Sequence, residues 1–134
     1  MAYSDKEKRS LLSQLIQLAT ADSNLSSKEM DFISAIANSM QINEFELQDL
    51  INKPADKVVL KSESERILQF HRLVLVMNVD EQTSLKEIIA IKNFGLHMGL
   101  PAEAIDEVLS RMEHFPNKVV PPNVLIDIFK KYHN

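Results

Sequence analysis

Two acids stand at the same spacing in two places, Asp22 and Glu29 in "DSNLSSKE" and Asp80 and Glu87 in "DEQTSLKE". Carboxylates at a helix-to-helix corner are ligands for hard cations, so the first chemistry to weigh is a calcium loop. An EF-hand loop opens with oxygen ligands at its first and third positions. It then carries an acid at the fifth, glycine at the sixth, an apolar residue at the eighth and a bidentate Glu at the twelfth. Asp22, Leu25 and Glu29 match the fifth, eighth and twelfth, with Ser23 where glycine belongs. The opening positions fall on Leu18 and Thr20, and in the second stretch on Val76 and Asn78. A helix face occupies the place of the first ligands, and the EF-hand reading is excluded.

Two accounts of the acids remain. Ser26 with Glu29, and Ser84 with Glu87, have the spacing of capping boxes, in which Ser and Glu satisfy each other's backbone amides at a helix start. Asp22 and Asp80 then serve as helix-exit residues bonding nearby amides. Alternatively the four carboxylates share a patch, where their mutual repulsion is relieved by protonation, solvent or a bridging cation. Oxygen-only ligands favour calcium, magnesium or manganese over zinc.

Other chemistry finds little support. His71 and His97 are isolated on helical segments, His114 and His133 lie near a loop and the C-terminus, and no pair has metal-site spacing. The chain has no cysteine, which removes disulfides, thiolate metal sites and a thiol nucleophile. It carries no glycine-rich phosphate loop and no nucleophile motif, so a non-enzymatic protein is expected. A net charge of −4, with basic and acidic residues intermixed, argues against nucleic acid as partner.

The elements that position these residues follow from composition and periodicity. The chain of 134 residues is 45% hydrophobic and 25% charged, with only two glycines and five prolines, which suits one domain of long helices joined by short connections. The longest apolar run, Leu73 to Met77, is far short of the ~20 residues that span a bilayer. Asp5, Lys6, Glu7, Lys8 and Arg9 occupy the place of a signal peptide's apolar stretch, so a cytoplasmic location is expected.

Ser4 and Glu7 predict a helix from about Asp5 to about Ala21 bearing Leu11, Leu12, Leu15, Ile16, Leu18 and Ala19. Further helices begin after Ser26 and after Asn43, where Glu46 sits in the reciprocal capping position. Ser62 and Glu65 open a fourth helix running through Met77, whose "LVLVM" could by local propensity be a strand. "SLKEIIAIKNFGLHM" is a fifth, stopped at Gly99, and "PAEAIDEVLSRM" a sixth with proline near its first turn. "FPNKVVPP" reads as a loop, and a last amphipathic helix covers 122–133.

Shifting the chain by 58 positions lays Leu15 on Leu73, Asp22 on Asp80, Ser26 on Ser84, Glu29 on Glu87, Ile33 on Ile91 and Met40 on Met98. This predicts an all-α bundle of about seven helices, made of two pseudo-repeated three-helix units (5–52 and 63–113) and a C-terminal helix.

"LIQLATADSNLSSKEMDFISAIANSMQINEFELQDLI" resembles the TerB-like tellurite-resistance domain: an apolar helix ending in Ala-Asp, a small polar stretch, a Glu opening the next helix, and a later Ile-x-x-x-Glu segment. The resemblance is clearest over 11–51 and weaker over 67–109. It implies a duplicated all-helical fold, cytoplasmic placement, association with stress-response systems, and acidic side chains holding a divalent cation. The matching positions are Asp22 and Glu29, and in the second unit Asp80 and Glu87. The family's glycine is Ser23 in one unit and Glu81 in the other, which restricts the turn at both corners.

Two functions are expected from these features. One is a protein-interaction or adaptor module in a stress-response complex at the inner membrane face, without direct membrane insertion. The other is a divalent-cation-binding protein, with a structural scaffold that binds no metal as a further alternative. "VLIDIFKKY" reads as a core helix first and as a docking surface second.

Overall fold

In a computed structural model the chain is described over residues 3–21, 25–79 and 83–132. All regular structure in those residues is helical: α1 (Asp5–Ala19), α2 (Ser27–Ser39), α3 (Glu44–Asn52), α4 (Glu63–Asn78), α5 (Leu85–His97), α6 (Ala102–Arg111) and α7 (Pro122–Lys131). "LVLVM" lies within α4, so burial on several sides explains its strand-like composition.

The helix starts follow capping chemistry. Ser4, Ser26, Asn43 and Ser84 each accept a hydrogen bond from the amide three residues on, and Glu7, Glu29, Glu46 and Glu87 reach back to the cap amide. At α4 only half of the expected box forms. Ser62 accepts from the Glu65 amide at 3.1 Å, whereas the Glu65 carboxylate is taken by the Tyr3 hydroxyl. α1 stops at Ala19, short of the expected Ala21, because Thr20 leaves the helix and its hydroxyl turns back to the Ile16 carbonyl at 2.9 Å.

α2 and α5 end alike. The residue after each cap, Gln41 at φ 63° and Gly99 at φ 80°, adopts the left-handed conformation, and the next amide returns to Ala37 and Gly95 respectively. Pro101 is the N-cap of α6, next to its first turn as expected, and the expected 115–122 loop contains a 3-10 turn at Pro116–Lys118, preceded by another at Met112–His114. α7 ends at Lys131 with Tyr132 as its cap; His133 lies outside the described residues.

α1 and α4 form the centre. α1 packs against α2, α3, α4 and α5, while α4 packs against α1, α2, α5 and α7. Leu12, Leu15 and Leu18 of α1, together with Phe70, Leu73, Val76 and Met77 of α4, are sealed from solvent. Each such side chain contributes about 1.5–3 kcal/mol relative to exposure. α7 closes the second half by packing on both α4 and α6, and Phe129 meets Phe70 edge-on at 5.8 Å. It is a core helix through Leu125, Ile128 and Phe129.

The starts of α4, α5 and α6 at 63, 85 and 102 each fall 58 residues after the starts of α1, α2 and α3 at 5, 27 and 44. The closures differ: α3 lies directly on α1, whereas α7 occupies a flank of α4.

Candidate functional site

Of the four acids singled out by spacing, Glu29 and Glu87 fall within the described residues, and Asp22 and Asp80 lie outside them. Glu29 Oε1 accepts from the Ser26 amide at 3.0 Å and the Glu29 amide donates to Ser26 Oγ at 3.1 Å. At the other corner the Ser84–Glu87 distances are again 3.0 and 3.1 Å. Both carboxylates are 2% exposed, and each carries an interaction beyond its box. α2 and α5, which present them, flank the same α1/α4 pair. Among the described residues, no three His, Asp or Glu side chains converge as a metal site.

His71 and His97 are engaged by backbone. His71 Nε2 lies 3.1 Å from the Val120 carbonyl, and His97 Nδ1 lies 2.8 Å from that of Asn93. His71 thereby ties the segment before α7 to α4.

A polar chain at the α1/α4 interface escaped sequence reasoning. Gln69, fully buried, donates its side-chain amide to the Leu11 carbonyl and to Gln14 Oε1, both at 3.1 Å. Arg72 donates to Gln69 Oε1 at 3.2 Å and to the Tyr3 hydroxyl at 3.3 Å, with its guanidinium 5.5 Å from the Tyr3 ring centre. Burial, reinforced by the bond to Glu65, raises the Tyr3 pKa above its ordinary value. Two buried serines of α1 have a comparable role: Ser13 Oγ accepts the Ala55 amide at 3.0 Å and Ser10 Oγ the Val58 amide at 2.9 Å, stitching the connector to the helix.

At the far end, Glu107 of α6 accepts from Lys131 Nζ at 2.7 Å and from the Tyr132 hydroxyl at 2.6 Å, with Arg111 at 3.3 Å. The Lys131 bond and then the Tyr132 bond hold its carboxyl down at about 2. These contacts fasten the end of α7 to α6.

Among the described residues, apolar side chains group on two uncovered surfaces, apart from single exposed residues such as Phe45 and Val59. Leu85, Ile89 and Leu96 of α5 are 72%, 51% and 50% exposed and share one helical face, with Lys92 between them paired to Asp106 at 3.3 Å. The second is a groove of about 250 Å³ between α4 and α7, walled by Ile67, Leu68, Leu125 and Ile126. Hydrophobic spacing marks these residues as helical but does not say which side a neighbour covers.

No helix among the described residues is long and apolar enough to cross a membrane. Comparison with protein-family models, curated proteins and solved structures finds no match. Fold and surfaces together define an all-helical bundle with an uncovered apolar face on α5.

Proposed function

We propose that this chain is a TerB-like module that works by binding another protein, without catalysing a reaction, in a cytoplasmic stress-response system of the tellurite-resistance type that assembles at the inner membrane face. The observation that carries this reading is the α5 face of Leu85, Ile89 and Leu96, three large aliphatic side chains in line and half or more exposed. An amphipathic helix of a partner would bury such a face. The TerB-like assignment and the duplication behind it are supported by the common interval between helix starts and by the matched boxes at Ser26–Glu29 and Ser84–Glu87.

The test is affinity capture from the source cell with wild-type protein and with the Leu85→Asp/Ile89→Asp double variant. A partner retained by the first and lost by the second, with unchanged melting of the variant, supports the reading; equal retention overturns it.

A second reading, a divalent-cation site formed by Asp22, Glu29, Asp80 and Glu87, is favoured by the withdrawal of Glu29 and Glu87 from water at matching corners. Oxygen-only ligands of this kind suit calcium, magnesium or manganese. Binding at a hundred times the dissociation constant would stabilise the fold by about 2.7 kcal/mol. A rise in melting temperature at millimolar ion, abolished by Asp22→Asn with Asp80→Asn, supports this reading. No rise leaves the corners as caps of a structural scaffold.

A further inference from the structure

The corner between α2 and α3 holds a groove whose charge has one sign. The Ile42 amide returns to the Ala37 carbonyl at 2.9 Å and Asn43 caps α3, which brings the last turns of α2 beside the first turn of α3. Ala37, Ile42 and Leu47, all buried, form the floor of a groove of about 270 Å³. The rim is polar, with Ser34, Asn38 and Asn43, and Glu44 is the one ionisable side chain of the lining among the described residues.

No Lys, Arg or His stands between Lys28 and Lys53, whereas Glu29, Asp31, Glu44, Glu46 and Asp49 do. Two of these acids are engaged: Glu29 is the buried partner in the α2 capping box, and Glu46 is paired to Arg9 at 2.7 Å. Asp31, Glu44 and Asp49 are exposed, and their carboxylates make no hydrogen bond or ion pair among the described residues. Asp31 lies one turn from Ser34 on the same side of α2, and Asp49 one turn from Phe45 on α3. Phe45 is itself 84% exposed. An aromatic ring beside uncancelled acids suits a chain that brings aliphatic and positive side chains together, whereas a free polyamine would leave the ring in water. Phosphate-bearing partners are repelled by the same charges.

We propose that the α2–α3 groove docks a basic, amphipathic peptide segment of a protein partner. One Lys or Arg charge meets Glu44 with its stem over the Ile42 and Leu47 floor, and a neighbouring aliphatic side chain covers Phe45. A long cationic side chain lies along an apolar floor while its charge reaches a carboxylate at the rim. The surface uses other helices than the α5 face and stands whether or not that face takes a partner.

Fluorescence anisotropy of a short labelled peptide of alternating lysine and leucine tests the assignment, titrated with the full chain in physiological salt, where charges more than about 8 Å apart are largely screened. Saturable one-to-one binding is expected. Glu44→Gln should weaken it roughly two- to fivefold and Phe45→Ser about tenfold, and Asn38→Trp, at the exposed rim, should block it. Asp127→Asn, which removes the same charge from an exposed position on α7, should bind like wild type. Absence of saturable binding overturns the proposal. So does a Glu44→Gln variant that binds like wild type, an Asp127→Asn variant weakened as much as Glu44→Gln, or spermidine bound as tightly as the peptide. Amide-resonance shifts that appear on α5 and not at Ser34 and Asn38 would place the peptide on the other face and equally overturn it.

Discussion

Gln69 reaches across from α4 to the Leu11 carbonyl of α1 at 3.1 Å, and the two residues stand 58 apart, the interval that separates the two sets of helix starts. A contact between a residue and its own counterpart is what a twofold relation produces on its axis, which supports the proposed duplication. The contact is also asymmetric, because a polar amide sits in one half where an aliphatic residue sits in the other. Gln69 is therefore a specificity element: it accepts one arrangement of α1 against α4 and satisfies both of its amide groups there.

Replacing Gln69 with Leu removes three bonds and leaves Gln14 Oε1 and one Arg72 donor short of a partner. Urea unfolding should show a loss of about 1–3 kcal/mol. The Gln14→Leu/Gln69→Leu double variant should lose less than the sum of the single changes, since it deletes both members of the pair.

Gln41 carries a side chain at a left-handed position, where the counterpart residue is Gly99. Gln41→Gly should raise stability by about 1 kcal/mol through release of that backbone cost, and Gly99→Gln should lower it by a similar amount. A pair of thermal melts distinguishes the two directions.

Gly95 lets α5 approach α6. A Cβ there would lie 2.6 Å from Ile105 Cδ1 and 3.2 Å from Phe70 Cε1. Gly95→Ala should destabilise by about 1–3 kcal/mol through overpacking, diminished by the ~1 kcal/mol that alanine returns in helix propensity. Ile105→Val in the same chain should restore part of the loss, because it removes the Cδ1 methyl in the closest contact.

Acid should loosen α7 before it unfolds the rest. The Glu107 carboxyl titrates at about 2 in the folded chain against an ordinary 4.5, so the folded state binds fewer protons between those values. Its contribution is present above pH 4.5 and is lost as pH falls toward 2. Glu107→Gln should flatten the stability profile across that interval, and added salt should weaken the wild-type dependence, because the groups are near the surface. Melting curves from pH 6 down to 2 at two salt concentrations provide the check.

Helix starts were readable because their chemistry is local. Ser26 with Glu29 and Ser84 with Glu87 specify a cap within four residues, and the observed helices begin one residue after each Ser. Glu65 shows where locality fails: the same spacing yields half a box because Tyr3, 62 residues away, takes the carboxylate. Ser10 and Ser13 look like polar interruptions of an apolar helix until the path of the connector reveals the amides they accept. Helical spacing alone likewise does not tell that Leu85, Ile89 and Leu96 stay uncovered; only the packing does. The candidate acids divide in the same way. The capping role of Glu29 and Glu87 followed from spacing, while a relation among all four depends on Asp22 and Asp80, outside the described residues.

Tyr3 comes to the first turn of α4 by its hydroxyl at Glu65, and Lys130 lines the same groove as Glu63 and Ser64. The connector is meanwhile anchored on either side of Asp56 and Lys57 by the serine bonds to Ala55 and Val58. A circularly permuted chain, bridged from Tyr132 to Tyr3 and opened between Asp56 and Lys57, would thus keep its seven helices in register. The ribosome would deliver α4 first and α3 last.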